Sequence, residues 1–176
     1  GTFFATVIPL IKGIPPPSIV GHGKMTGTPA IPDSQALEPR PAREQFVNLP
    51  GDGECRMPAN GLGMCCRPTA YDDILVRRRV LWYLLMGGRH IDGAHVYLNH
   101  RAIGLGIQDA MKRGVPREEI FVTTKVFPTH FGYNKTMQTV PPFLEELGLD
   151  YIDLVLMHSP SALPVIGNDC TRRNVS

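Results

Sequence analysis

Short apolar runs typical of β-strands alternate with amphipathic stretches typical of helices between residues 60 and 157. The helical stretches repeat apolar residues at spacings of three and four, whereas the strand runs are rich in β-branched and aromatic residues. The predicted strands are 60–64, 89–94, 120–126 and 151–157, and the predicted helices are 71–86, 99–112 and 133–147. Such an alternation with short connections implies parallel strands and right-handed crossovers. A doubly wound sheet and a (β/α)8 barrel both satisfy this pattern, and periodicity does not distinguish them.

Proline content divides the chain into two parts. Residues 1–45 hold eight of the 17 prolines, so we expect a Pro-rich irregular arm there. The second part, 46–176, opens with a predicted β-hairpin whose turn is 50–53. Pro141 and Pro142 lie inside the third predicted helix, which we expect to kink there or to begin after them. The last predicted strand is almost wholly apolar, which is typical of a strand buried on both faces.

Composition and charge exclude several classes of function. The chain is 43% hydrophobic and 19% charged, as in a globular domain. Its net charge is only +2, and its densest basic cluster, 77–79, would fan around a helix, so we expect no nucleic-acid partner. The apolar stretch 2–10 is far shorter than the about 20 residues that span a membrane, so we expect no membrane span.

The four cysteines contain no C-x-x-C pair, so a four-thiolate zinc site is not predicted. Cys65 and Cys66 are adjacent, and we interpret them as small loop residues, with a redox role as the alternative. The low cysteine content favours a reducing compartment and hence the cytoplasm. His90, His95 and His100 are five residues apart, a spacing that does not indicate a metal site.

Ionisable side chains stand at three successive strand ends, where parallel α/β proteins place their functional groups. They are Asp92, with Tyr97 shortly beyond it, then Lys125, then His158. Singly, each has a plainer explanation, such as a strand-end cap, a solvated lysine or a packed aromatic ring. Together they are the parts needed to reduce a carbonyl by hydride, because the oxygen gains charge and then a proton. A phenol can supply that proton when an ammonium stabilises the tyrosinate.

The sequence around these groups resembles the aldo-keto reductase family. GRHIDGAHVY at 88–97 is similar to the family signature in which Asp, a small residue and Ala precede Tyr. KRGVPREEIFVTTK at 112–125 is similar to the signature that ends at the catalytic Lys, and LGLDYIDLVLMHSP at 147–160 is similar to the fourth strand and its His. The resemblance extends in consistent order over residues 57–158.

The resemblance implies a (β/α)8 barrel of the TIM-barrel type and NAD(P)H-dependent reduction of small aldehydes or ketones to alcohols. Tyr97 would be the general acid, Lys125 its modulator, Asp92 the partner of Lys125, and His158 the group that orients the carbonyl.

The resemblance also implies a cofactor, NADPH more often than NADH. Gly63, Met64 and Asp92 would lie at this cofactor. Phe127 and His158 would line the substrate site.

The chain departs from the family pattern at several positions. Gly93 replaces the usual Thr or Ser, Met64 and Cys65 replace Thr-Trp or similar, and Leu98 and His100 replace the Gly and Glu that often follow the catalytic Tyr. These changes affect substrate and loop details and leave the four catalytic positions intact.

Family members extend to roughly twice the span matched here, so we expect only the first four βα units of the barrel. The later strands would carry the residues that hold the carboxamide, the nicotinamide and the 2′-phosphate. We therefore expect an incomplete chain with negligible NADPH-dependent reduction of 4-nitrobenzaldehyde.

Two further hypotheses remain open. The chain could be a non-catalytic half-barrel that acts only by association with a partner or a second copy through open sheet edges. It could also be a doubly wound binding domain, in which Tyr97 and Lys125 would lie more than about 8 Å apart, beyond useful electrostatic coupling. A titration of NADPH fluorescence would separate a cofactor site from a half-barrel without one.

Overall fold

The computed structural model describes residues 38–42, 45–50, 55–66 and 68–160. Its strands and helices follow in the order β1 Phe46–Asn48, β2 Arg56–Pro58, β3 Leu62–Gly63, α1 Asp73–Leu85, β4 His90–Asp92, α2 His100–Lys112, β5 Phe121–Val126, α3 Tyr133–Leu147 and β6 Leu154–Met157. Each predicted helix and strand is present, with ends that shift by a few residues. The predicted hairpin is the antiparallel pair of β1 and β2, whereas most of its predicted turn lies outside the described residues.

Strands β3, β4, β5 and β6 form one parallel sheet in their sequence order. A doubly wound sheet would reverse its strand order at a switch point, whereas a barrel adds each strand beside the previous one. Helix α2 packs against both α1 and α3, so the three helices cover the sheet as one layer. The strand order and this single helical layer are those of a barrel segment.

The core lies between the sheet and this helical layer. Asp72 caps the first turn of α1, where its side chain accepts hydrogen bonds from the backbone N–H groups of Ile74 and Leu75, both at 3.0 Å. The fully buried apolar side chains come from all three helices and from the strands. They include Val76, Val80, Leu81, Leu84, Ile91, Ile103, Ile107, Ile120, Phe143 and Leu147.

Two glycines let α2 approach its neighbours closely. A Cβ at Gly104 would overlap the backbone carbonyl of Leu147 at the end of α3. A Cβ at Gly106 would lie 2.7 Å from both the carbonyl oxygen of Arg77 and the Cβ of Val80 on α1. The Gly-Leu-Gly sequence of α2 therefore serves helix packing.

Helix α3 corrects one sequence-based expectation. It begins at Tyr133 and continues through Pro141 and Pro142 to Leu147, so a helix that starts after the prolines is wrong. Both prolines are exposed. Each proline removes one hydrogen bond to a carbonyl four residues earlier, and on this solvent-facing side water can satisfy that carbonyl.

Strand β6 is less buried than its apolar sequence predicts. Only Leu154 is buried, and Met157 is 56% exposed. The two middle residues of β6 are only half-buried, so the expectation of burial on both faces is wrong for this strand. Within the described residues β6 pairs with β5 alone.

Arginines brace the sheet at the N-terminal ends of its strands. The buried guanidinium of Arg89 donates to Glu119 at 2.9 Å, to the carbonyl of Leu84 at 2.9 Å and to the carbonyl of Arg40 at 2.9 Å. Arg117 pairs with Asp153 at 3.0 Å. Residues 38–42, the described end of the predicted arm, therefore lie against the end of α1, whereas the boundary at residue 45 stays a prediction.

In the part of the chain that the structure describes, no helix has the length and apolar character to cross a membrane.

We predict that Gly104→Ala lowers the free energy of unfolding by about 3 kcal/mol, because a backbone carbonyl cannot move aside as a flexible side chain would. Urea unfolding followed by circular dichroism measures this change. Arg101→Ala, at an exposed position of the same helix, should stay within about 0.5 kcal/mol of the parent chain. Equal urea midpoints for the two variants would contradict the close helix contact.

Candidate active site

A lysine–aspartate pair joins two neighbouring strand ends. Asp92 is the last residue of β4, and Lys125 lies near the end of β5. The Lys125 Nζ donates to Asp92 Oδ1 and, at 2.9 Å, to the carbonyl oxygen of Gly93. The Lys125 side chain is only 15% exposed, so the aspartate compensates a charge that is largely shielded from water.

Tyr97 reaches the same place from a short turn beyond β4. Residues His95–Tyr97 form a 3-10 turn, in which the Tyr97 N–H donates to the carbonyl of Ala94 at 3.0 Å. Leu98 ends this turn with a positive φ of 57°. The Lys125 Nζ lies 5.5 Å from the centroid of the Tyr97 ring, so the ammonium and the phenol share one site.

His158 completes the group from the end of β6. Its backbone N–H donates to the carbonyl of Val126 at 3.0 Å, which continues the pairing with β5. Its ring meets the Tyr97 ring edge-on, at 5.5 Å between centroids and 87° between planes. Phe127 packs against the same imidazole at 6.3 Å.

The pKa of His158 is lowered from its ordinary value, first because burial disfavours the charged form and second because Lys125 repels it, while Asp92 opposes the shift. The imidazole is therefore neutral at pH 7. Its Nδ1 is buried and has no hydrogen-bond partner among the described residues.

Two residues that the sequence assigned to a cofactor border this group in different ways. Gly63 pairs with Asp92 across the sheet, and a Cβ at Gly63 would meet open space. Met64 donates its N–H to the carbonyl of Asp92 at 3.0 Å. Its side chain, however, belongs to the hydrophobic core, so only the Met64 backbone faces the strand ends.

Histidines on the two faces of the sheet hold the strand that carries Lys125. The Nε2 atoms of His90 and His100 lie 2.9 Å and 2.8 Å from the hydroxyls of Thr123 and Thr124 on β5. His100 Nδ1 also lies 2.9 Å from Glu146 on α3. The sequence showed His100 as a departure from the family pattern, but its partners are distant in sequence and carried no motif.

The pKa shifts of Glu146 and His95 are consistent with a packed cluster around His100. Its hydrogen bond lowers the pKa of Glu146. Burial lowers the pKa of the nearby His95, although Glu146 acts in the opposite direction.

No group of three or more potential ligands could hold a metal ion within the described ranges.

Asn99 is a second positioning residue that the sequence did not single out. Its Nδ2 donates to the carbonyls of Met64 at 3.0 Å and Ala70 at 3.2 Å. This side chain ties the segment after Tyr97 to the loop after β3.

The strand ends thus gather a carboxylate, an ammonium, a phenol and a neutral imidazole, which together can hold a carbonyl oxygen and deliver a proton to it.

Known proteins are similar to this chain in sequence. A 9,11-endoperoxide prostaglandin H2 reductase of Trypanosoma cruzi is 46% identical over 105 residues, which are 60% of this chain and 35% of that protein. Glycerol 2-dehydrogenase (NADP(+)) of Saccharomyces cerevisiae is 46% identical over 86 residues, which are 49% of this chain and 26% of that enzyme. This chain therefore spans about a third or less of these relatives' length.

A solved structure is similar to this chain in fold as well as in sequence. The aldo-keto reductase of Bombyx mori in complex with NADP superposes with a TM-score of 0.62 and 34% identity, over 69% of this chain and 40% of that one. The sheet, with helices on one face, corresponds to part of its (β/α)8 barrel. The profile of the Aldo/keto reductase family matches residues 61–164, more than half of the sequence, and the chain therefore belongs to that family.

Proposed function

We propose that this chain carries the proton-transfer residues of an NADPH-dependent oxidoreductase that reduces small aldehydes or ketones to alcohols. The observation that supports this most is the convergence of Tyr97 and His158 on the Lys125–Asp92 pair at three adjacent strand ends. The yeast relative is a glycerol 2-dehydrogenase (NADP(+)), and the Bombyx mori aldo-keto reductase is in complex with NADP, which favours NADPH over NADH. We propose a cytoplasmic location for this activity.

The four side chains have distinct roles in this proposal. Tyr97 donates the proton to the carbonyl oxygen, and the Lys125 charge stabilises the phenolate that remains. Asp92 keeps Lys125 oriented. His158, which is neutral at pH 7, donates a hydrogen bond to the same oxygen while charge develops there. Phe127 forms an apolar wall beside His158.

The described residues fit a nicotinamide cofactor, which would supply the hydride when bound. Gly63 leaves open space where a flat ring can approach the backbone, and it lies next to Asp92. The orphaned Nδ1 of His158 is a buried polar atom without a partner in the part that the structure describes. We propose Gly63, the Met64 backbone and Asp92 as the contacts that this chain offers the cofactor.

We predict that a chimera reduces 4-nitrobenzaldehyde with NADPH when residues 57–160 replace their equivalent in the Bombyx mori aldo-keto reductase. In that chimera Tyr97→Phe should lower kcat by about 100-fold or more, because it removes the proton donor and leaves the ring. The loss of NADPH absorbance measures turnover.

Tyr133→Phe is the matched control, since Tyr133 is 81% exposed on α3 and should leave kcat unchanged. Circular dichroism establishes that each chimera folds. A folded, NADPH-binding chimera in which Tyr97→Phe and Tyr133→Phe are equally active would refute the role of Tyr97.

A second prediction concerns the protonation of His158 and needs no turnover. Its NMR titration midpoint should lie below the ordinary value, because burial and Lys125 both lower its pKa. Lys125→Met should raise the midpoint, because it removes a repelling cation, and Asp92→Asn should lower it further. His158→Gln identifies the resonance among the six histidines. A lower midpoint in Lys125→Met, or a higher one in Asp92→Asn, would contradict the mutual placement of these groups.

A second candidate function is association through an open sheet edge. One observation favours it: within the described residues β6 pairs on one side only, and Met157 at its end is 56% exposed. Unpaired strand edges expose backbone donors and acceptors to other chains. The occupant that we propose for this edge is a second copy of the chain.

We predict that the purified chain self-associates and that Met157→Lys weakens this association, because a charge at a strand edge opposes edge pairing. Light scattering after size exclusion gives the mass. Met86→Lys is the matched control, since Met86 is 53% exposed at the end of α1, away from the edge. A monomeric parent chain, or equal effects of the two lysines, would exclude the β6 edge.

A further inference from the structure

The loop that follows β3 is tied to both ends of the segment that bears Tyr97. Its first residue, Met64, donates its N–H to the carbonyl of Asp92 at 3.0 Å. The carbonyl of Met64 accepts a hydrogen bond from Asn99 Nδ2 at 3.0 Å. Asp92 precedes Tyr97 and Asn99 follows it, so the position of this loop is coupled to the candidate site.

The next two residues are the adjacent cysteines, whose sulfurs lie in direct contact with each other. Cys65 is half-buried and Cys66 is exposed. Cys66 has a positive φ of 67°, which is uncommon for a residue with a Cβ and persists only where its surroundings hold it. Cys55, by contrast, is a free thiol.

We propose that Cys65 and Cys66 form a reversible dithiol–disulfide pair, a redox modification site whose oxidised form restrains the loop beside Asp92. The oxidant is a low-molecular-weight disulfide of the glutathione class. Disulfides in reducing compartments are usually transient and regulatory, which suits a pair that opens and closes with the thiol pool.

The exchange proceeds in two balanced steps. The exposed Cys66 thiolate attacks a sulfur of the reagent disulfide, forming a mixed disulfide and releasing one reagent thiol. The Cys65 thiolate then attacks Cys66 Sγ, which closes the intrachain bond and releases the second reagent thiol. The two protein sulfurs lose two electrons, the reagent gains them, and the two thiol protons pass through solvent to the released thiols.

Adjacency makes closure within the chain the favoured outcome. After the first step the Cys65 thiol is held beside the mixed disulfide, so the second step is intramolecular and has a high effective concentration. Cys55 has no partner thiol among the described residues, and a reagent that reached it would remain attached.

Oxidation of the cysteine pair affects the candidate site through Met64. Closing the Cys65–Cys66 ring restricts the backbone that follows Met64, and this restriction strengthens the hydrogen bonds of Met64 to Asp92 and from Asn99. The thiol chemistry does not depend on the proposed reductase function, whereas any effect on turnover does.

The first test uses a variant in which Cys55→Ser and Cys170→Ser leave only the pair. After incubation of the reduced protein with oxidised glutathione, we expect an intact mass lower by two hydrogens, restored by excess reduced glutathione. Adding Cys65→Ser should instead give one stable glutathione adduct. Stable adducts on both cysteines, unreacted thiols or disulfide-linked dimers in the two-cysteine variant would overturn the proposal.

The second test uses the unmodified sequence, so it does not depend on the folding of a variant. Hydrogen–deuterium exchange compares the oxidised and reduced forms, and we expect the Met64 amide to exchange roughly tenfold more slowly when the pair is oxidised. Equal exchange in the two forms would overturn the coupling to Asp92. Neither test requires NADPH or a carbonyl, so failure here is distinguishable from failure of the reductase proposal.

Discussion

Lys125 carries a charge that is largely shielded from water, and the arrangement of the strand ends follows from how that charge is held. Its partners are the Asp92 carboxylate and the Gly93 carbonyl, both on the adjacent strand or just beyond it. An unpaired ammonium in this position would be costly, so β4 and β5 cannot change register without losing the pair. The same pairing sets the distance from Lys125 to Tyr97, because the Tyr97 turn begins three residues after Asp92.

Strand β5 is secured from both sides, and this explains why its tip can be precise. Successive side chains of a strand point to opposite faces, and the hydroxyls of Thr123 and Thr124 contact His90 and His100 respectively. His100 in turn contacts Glu146 on α3. A strand held in this way leaves Lys125 little freedom, and such support is what a catalytic group needs to keep a productive geometry.

The sequence predicted the elements and the polar strand tips for one physical reason. Parallel strands joined by helices must place their C-terminal ends together. Once the alternation of strands and helices is recognised, it therefore predicts that Asp92, Lys125 and His158 lie at the same end of the sheet. Contacts among side chains distant in sequence follow no such periodicity. The pairing of His100 with Glu146 and the two hydrogen bonds from Asn99 depend on how α2 and α3 pack. The predicted range 133–147 of α3 is confirmed, and only the alternative start after the prolines was wrong, because the cost of an internal proline depends on its exposure. The burial of β6 was wrong because the residues of a strand do not specify which elements will pack against it.

The two ends of the sheet divide stability from chemistry. At the N-terminal ends, Arg117 pairs with Asp153, whose carboxylate also accepts a hydrogen bond from the N–H of Val122 at 2.8 Å. Burial nevertheless raises the pKa of Asp153, so desolvation outweighs the attraction of its partner. Burying such a pair costs free energy, because both charges lose their hydration. Removing one partner is strongly destabilising, because the other charge then remains buried without compensation. The pair joins the start of β5 to the segment before β6, while the opposite strand ends bear Asp92 and Lys125. Buried charges at the N-terminal ends therefore keep the strands in register. The loops at the C-terminal ends can then differ in sequence without changing that register.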